Sequence, residues 1–450
     1  MKTNPEFLRQ IWLQFSLPRL ILTPVLLLLG AYAVYTSSDS ADGGVRNLII
    51  ASLGAFCVLV FLFGSYSVGM SISDEIQEKT WDQQRMSALT PWSMTWGKLF
   101  GAASFAWYGG LICLLIYFSV AWQASEMVGG QPLRLVAILL LTGVLLHALA
   151  LASSLQSLAF AGQPARRGMG LLFVILIILP NLAALFFRGQ SELGQVVWWG
   201  GAYETLDFLL ASSLLFAACL LLTATRQMSD NLAVRLYPWG WPVLAIVLTL
   251  YFGAFVEQLH LGRNSLYGSP RGFALVFMGL GISAVMTYLA LFSQPHTPSA
   301  WQSLGNSCAE KNWQRTLQKV PPWVTSLVLT WVFLFVLGTL SLTRLGTWDF
   351  FQSIRTFSPI SFAASLACLL VRDACLLLFF SFKPKARRVF PTFATCFFLL
   401  YGLLPGLAGL SSLDGLAQAI RPWGSALIAL LHALAAGGLL AWRWQKIKIR

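Results

Sequence analysis

Charge is scarce in this chain. Only 10% of its 450 residues are Asp, Glu, Lys or Arg, while 57% are hydrophobic, and mean hydropathy is +0.70. So much apolar surface needs lipid around it, which excludes a water-soluble globule, and the polar gaps are too short for a sizeable soluble domain. No Gly-x-x-x-x-Gly-Lys-Ser/Thr loop is present: upstream of Gly97-Lys98, Trp92 stands where that pattern requires glycine. Nothing else offers a cradle for nucleotide phosphates, so the chain is not expected to hydrolyse ATP by itself. The four histidines (His147, His260, His296, His432) are scattered, and neither His-Glu-x-x-His nor Gly-x-Ser-x-Gly occurs. A metal centre or nucleophilic enzyme therefore has no visible site. The seven cysteines lack metal-ligand spacing and fall in apolar runs or on one side of the membrane, so neither metal nor disulfides are expected.

What the chain does have is apolar runs. A spanning helix needs about 20 mostly apolar residues, and twelve candidates begin near Leu20, Asn47, Trp96, Leu135, Gly168, Thr205, Gly240, Gly272, Trp323, Ser358, Pro391 and Gly424. The predicted fold is an all-α integral membrane protein of about twelve transmembrane helices. With the N-terminus inside, the cytoplasmic segments hold 21 of the 30 Lys and Arg residues and the outer loops 8. By the positive-inside rule this bias sets both termini in the cytoplasm. The pI of 9.7 then reports topology and contact with anionic lipid headgroups, with no nucleic-acid partner implied. Trp residues cluster at the ends of the runs, as in an interfacial aromatic belt.

Two segments stand apart. Within Pro5 to Leu17, Phe7, Leu8, Ile11, Trp12 and Phe15 recur at helical spacing opposite Arg9, Gln10 and Gln14, predicting a helix that lies in the membrane interface. From Ser71 to Lys98, between the second and third apolar runs, the chain reads SISDEIQEKTWDQQRMSALTPWSMTWGK. Four of its seventeen acids (Asp74, Glu75, Glu78, Asp82) crowd into this cytoplasmic loop, together with Lys79 and Arg85. Acids gathered where bases are the rule suggest a docking element for a soluble partner.

The loop has an echo. Glu78-Lys79-Thr80-Trp81 followed by Pro91-Trp92 corresponds to Glu310-Lys311-Asn312-Trp313 followed by Pro322-Trp323. Pro164-Ala165-Arg166-Arg167 corresponds to Pro384-Lys385-Ala386-Arg387-Arg388, and Pro180-Asn181-Leu182 to Pro405-Gly406-Leu407. These matches keep their order, which favours two tandem six-span units, 1–230 and 231–450. An even number of spans gives both units one orientation, so a translocation path would lie where they meet. The second loop offers Glu310 against Lys311, Arg315 and Lys319, and has lost most of the acids.

Charges inside an apolar run cost several kcal/mol unless paired or hydrated. Arg372 and Asp373 are such charges. Neighbours on a helix diverge by about 100°, so they are not expected to pair face to face, and they stand with His147 as candidates for a translocation path or gate. The plainer reading, a polar contact to another helix, stands beside it.

The segment from Ser73 to Phe100 resembles the loop between the second and third spans of ABC type-2 permeases, the membrane subunits of ATP-driven exporters. The matching positions are Glu75, Glu78, Lys79, Thr80, Arg85, Leu89, Thr90, Pro91, Gly97, Lys98 and Leu99. The resemblance implies that Pro5 to Leu17 is a connecting helix and Asp74 to Ser87 a coupling helix seated in a groove of a separate cytoplasmic ABC ATPase subunit. Asp74, Glu75, Glu78, Lys79, Asp82 and Arg85 would dock it, with Glu310, Lys311 and Arg315 as the weaker second set. ATP and Mg would belong to that ATPase, with no cofactor on this chain. The resemblance further implies a multi-pass permease in a bacterial inner membrane and admits additional membrane subunits. The alternative is a twelve-span secondary transporter of the major facilitator type, which also has two parallel halves. A membrane-embedded enzyme would need a polar catalytic cluster that the sequence does not display.

Overall fold

The computed structural model describes residues 4–38, 40–87, 89–121, 132–161, 194–234, 239–257, 271–293, 296–342, 359–382, 389–403 and 422–448. Among them, nine helices are long and apolar enough to cross a membrane. The protein is an all-α integral membrane protein. These nine correspond to nine of the twelve expected spans. The run near Gly168 lies outside the described residues, that near Gly240 forms a 14-residue helix, and that near Pro391 is described only to residue 403. The Pro164–Arg167, Pro180–Leu182, Pro384–Arg388 and Pro405–Leu407 matches also lie outside the described residues.

The chain divides into two compact units, one made of Met1–Val196 and Ala202–Leu236, the other of Val197–Gly201 and Tyr237–Arg450. In the first, α1 (Pro5–Gln14) and α2 (Leu17–Thr36) are followed by α3 (Ala41–Phe56) and α4 (Ser65–Gln77). A π-helical segment, Cys57–Gly64, joins α3 to α4, so that Asp42–Gln77 forms a single 36-residue span. At 1.5 Å per residue this is about 54 Å, against a hydrocarbon core of about 30 Å. Its polar last turns, from Ser71 on, therefore stand clear of the lipid. Next come α5 (Trp81–Arg85), α6 (Pro91–Gly101), α7 (Ser104–Ala121) and α8 (Pro132–Ala161). The third span was expected from Trp96. It begins instead at Ser104, after a break at Ala102-Ala103, and α6 is a separate helix packed on α1.

A hairpin, β1 (Gln195–Trp198) and β2 (Gly201–Glu204), precedes α9 (Thr205–Asn231). Its turn residues Trp199 and Gly200 both have positive φ (52° and 77°), the backbone hand that suits a two-residue hairpin. In the first unit's core, Val68, Ile72, Met94, Leu99, Leu151 and Met228 bring α4, α6, α8 and α9 together.

The second unit comprises α10 (Gly240–Gly253), α11 (Arg271–Ser293), α12 (Pro298–Ala309), α13 (Trp313–Lys319), α14 (Pro322–Leu342), α15 (Pro359–Ser381), α16 (Val389–Phe398) and α17 (Pro422–Lys448). Leu291, Trp323, Leu378, Phe382 and Phe393 form its main core, with Trp444 of α17 packed against them. Thr330 on α14 donates a hydrogen bond to Ser283 on α11 (3.0 Å), polar glue of the kind that joins spans where lipid supplies no hydrophobic drive.

Candidate functional site

The acidic loop is built by capping chemistry. α4 ends at Gln77, and Lys79 then adopts φ 59°. The Thr80 N–H reaches back to the Glu75 carbonyl (2.8 Å) and the Lys79 N–H to that of Ile76 (3.1 Å), a paired C-terminal cap in which the left-handed residue is lysine instead of the usual glycine. The expected coupling helix over Asp74 to Ser87 is therefore not continuous. It is the tail of a span, a tight turn, and the short α5. Thr90 then caps α6 by accepting from the Ser93 N–H (3.2 Å), with Pro91 at the first helical position.

The second loop repeats this backbone. Lys311 has φ 53°, Asn312 N–H donates to Ser307 (3.2 Å) and Lys311 N–H to Cys308 (3.0 Å). The Glu-Lys-x-Trp match thus corresponds to one shared turn. The side chains around it differ.

In the first loop, Glu75 turns inward. It is 4% exposed and meets Lys98 of α6, which is fully buried, with Nζ 2.5 Å from Oε1. Lys98 also lies 3.2 Å from Glu6 of α1 and donates to Gln84 of α5 (3.1 Å). Arg9 donates to Glu75 and to both oxygens of Glu6 (2.9 and 3.1 Å), and Gln10 donates to Glu6 and Glu75 (3.1 and 3.2 Å). Trp81 lies along the wall, its ring centroid 5.5 Å from the Lys98 ammonium. Two acids and two bases thus close a charge-balanced cluster that joins α1, α4, α5 and α6. Burial pushes the Glu6 carboxyl up, but the Arg9 hydrogen bond, the Lys98 charge and the Gln10 hydrogen bond outweigh it, and the net pKa lies below the ordinary value.

α1 reaches this position because α6 is cut away beneath it. A Cβ on Gly97 would lie 2.7 Å from Glu6 Cβ, and one on Gly101 2.6 Å from Gln10 Cβ. This four-residue glycine spacing lets two helices meet at backbone distance. Asn4 fixes the approach by donating to the Ser93 carbonyl (2.7 Å). The polar side of α1 is the one that meets protein: Glu6 and Gln10 are buried, while Leu8, Trp12 and Leu13 are exposed. In an interfacial helix those apolar side chains enter the lipid, and the polar face docks on α6.

Of the expected docking residues, Asp74, Glu78, Lys79, Asp82 and Arg85 are exposed, and only Glu75 is withdrawn from the surface. Asp82 and Arg85 approach to 3.7 Å. In the second loop Glu310, Lys311 and Arg315 are all exposed. Sequence reading missed Glu6, Arg9, Gln10 and Gln84. Glu6 and Gln10 opposite Gly97 and Gly101, each four apart, together with a lysine opening an apolar run, were the available signal.

Arg372 and Asp373 also depart from expectation. Arg372 Nε donates to Asp373 Oδ1 (2.8 Å), so the adjacent residues pair after all. The 100° divergence applies to the Cα–Cβ bonds, and the long arginine side chain folds back across it. Tyr288 of α11 and Tyr401 donate to Asp373 Oδ2 (2.7 and 2.8 Å), and the guanidinium sits 4.6 Å from the Tyr401 ring centroid. His147 is fully buried in the other unit, its Nε2 2.8 Å from the Val60 carbonyl within the π-helical segment, while His432 is exposed. The wider π turn displaces carbonyls from the α-helical register, and the Val60 carbonyl that His147 meets lies on that turn.

No group of three or more His, Cys, Asp or Glu side chains suited to a metal ion occurs among the described residues. Comparison with protein-family models, curated proteins and solved structures gave no match.

Proposed function

We propose that this chain is the membrane-spanning subunit of an ATP-binding-cassette exporter, with twelve spans in two tandem six-span units, both termini cytoplasmic, and a separate ATPase docked on its loops. The observation that carries this reading is the anchoring of the acidic loop. Asp74, Glu78 and Asp82 face outward on a turn whose underside is fixed by Glu75, Lys98 and Glu6 to α1 and α6. A push on the exposed acids is thereby transmitted to the interfacial helix and to the segment that leads into the third span. A loop of solvated acids alone would dissipate such a push. The acids also suit a basic groove, where complementarity sets register more than affinity.

The test is copurification of an ATPase subunit after solubilisation in mild detergent. Glu78→Lys with Asp82→Lys should abolish it while leaving the fold intact, since both side chains are exposed. A solitary chain that transports under a proton gradient would overturn the reading in favour of a secondary transporter. The feature favouring that second reading is Asp373, an intramembrane carboxylate within reach of two tyrosines and an arginine. Asp373→Asn would then abolish gradient-driven transport.

A further inference from the structure

The second unit contains a groove of about 440 Å³ between α15 and α17, closed on one side by Trp331 of α14. Its walls are apolar: Cys368, Val371 and Cys375 from α15 face Leu434, Gly438 and Ala441 from α17. Trp331 and Leu434 are 43% and 63% exposed, so the groove opens toward the surroundings of the protein, which for a spanning unit means lipid. Gly437 and Gly438 have no atom within 4 Å of where a Cβ would stand, so the space over them is empty.

At one end of the groove the character changes. Two residues beyond Ala441, Arg443 lays its guanidinium 5.0 Å from the ring centroid of Phe379, one turn beyond Cys375 on α15. Its Nε is buried and has no hydrogen-bond partner among the described residues. Lys446 follows on the exposed side, its ammonium 4.0 Å over the Trp442 ring. Both cations sit in the last two turns of α17, where unsatisfied carbonyls already favour positive charge. An apolar slot with two cations within two turns of its last lining residue is complementary to an anionic amphiphile. Its tail is a hydrocarbon chain and its head carries a phosphate.

We propose that this groove is a binding site for an anionic phospholipid, one acyl chain lying between α15 and α17 and the phosphate held by Arg443 and Lys446. Basic pockets between spans bind anionic headgroups in this manner. The site is independent of the transport reading above, because it uses none of the same residues.

Trp331 provides the readout. The full chain is reconstituted in vesicles containing brominated-acyl phosphatidylglycerol or, at equal mole fraction, brominated-acyl phosphatidylcholine. The part of the fluorescence quenching lost in Trp331→Phe is then assigned to the groove. That part should be at least about threefold larger with phosphatidylglycerol. Arg443→Gln with Lys446→Gln should bring the ratio to about one. Gly438→Leu, whose Cβ enters empty space, should remove Trp331 quenching by both lipids. Equal quenching by the two lipids overturns the proposal, as does a preference that survives loss of both cations. Absence of Trp331 quenching in the unsubstituted chain would mean that another helix or a second copy fills the groove, and overturns it equally.

Discussion

The two loops share a backbone turn and differ in what lies beneath it. In the first, Glu75 on α4 faces buried Lys98, and α1 closes over both. In the second, the residue at the matching position of the cap is Ser307, which accepts from Lys319 (2.6 Å), while Lys319 also reaches the Ser303 carbonyl (3.1 Å). Where the first loop buries an acid with its lysine, the second has a neutral hydroxyl and a lysine whose partners among the described residues are neutral oxygens. A buried ion pair is tolerable whole or absent, because removing one member strands a charge. Trp81 is 8% exposed and the matching Trp313 70%. The first loop is a fixed platform, and the second is a surface turn.

Single substitutions can break this contrast. Lys98→Ala, which leaves two buried acids to share the single base Arg9, should cost about 3–5 kcal/mol, whereas Lys319→Ala should cost about 1. Thermal unfolding in mild detergent measures both, and equal losses would erase the distinction. By the same assay Trp81→Ala should cost about 3 kcal/mol, and Trp313→Ala less than about 0.5. Gly97→Ala should destabilise by about 1–3 kcal/mol by lifting α1 from α6. Gly338→Ala in the second unit, with nothing near its Cβ, should instead stabilise by up to about 1. Lys79→Gly and Lys311→Gly sharpen the comparison from the other side. Both relieve a left-handed lysine and should stabilise alike, by about 1 kcal/mol. Unequal gains would mean that the turns are not equivalent.

The smallest effect is that of acid. The folded pKa of Glu6 lies below its unfolded value, so its stabilisation is complete above the unfolded value and is lost as pH falls through the lowered one. Docking of α1, followed by protease access to the Phe15–Leu17 link, should be flat from about pH 8 to 5 and fail only below about pH 4. The Ser307–Lys319 contact contains no carboxylate and should not respond over that range.

Much of this was legible in the sequence because it depends on composition and local pattern. Apolar length located the nine spans described, and Glu-Lys-x-Trp flagged the same turn twice. What escaped depended on long-range approach. Glu75 looks like any other loop acid until α1 is known to lie over Gly97, and that meeting joins residues far apart in sequence. The apolar stripe of Trp12 and Leu8 gave the amphipathicity of α1 correctly, while the choice of which face meets protein rested on two glycines elsewhere. Arg372 and Asp373 misled because side-chain length matters as much as helical angle. The π-helical segment Cys57–Gly64 is more apolar than the helices on either side of it, but apolarity marks it only as buried or lipid-facing and does not distinguish a π turn from an α turn.

The separation of these partners also constrains how the protein is made. Asn4 and its acceptor Ser93 are 89 residues apart. At translation rates of about 5–20 residues per second, α1 emerges roughly 5–20 s before the helix that receives it. During that interval Glu6 has Arg9 but lacks Lys98 as a charge partner, and the apolar edge of Trp12 and Leu13 has the bilayer surface to adsorb on. The N-terminal helix therefore waits at the membrane as an adsorbed segment, and becomes part of the folded protein only when Gly97 and Lys98 arrive.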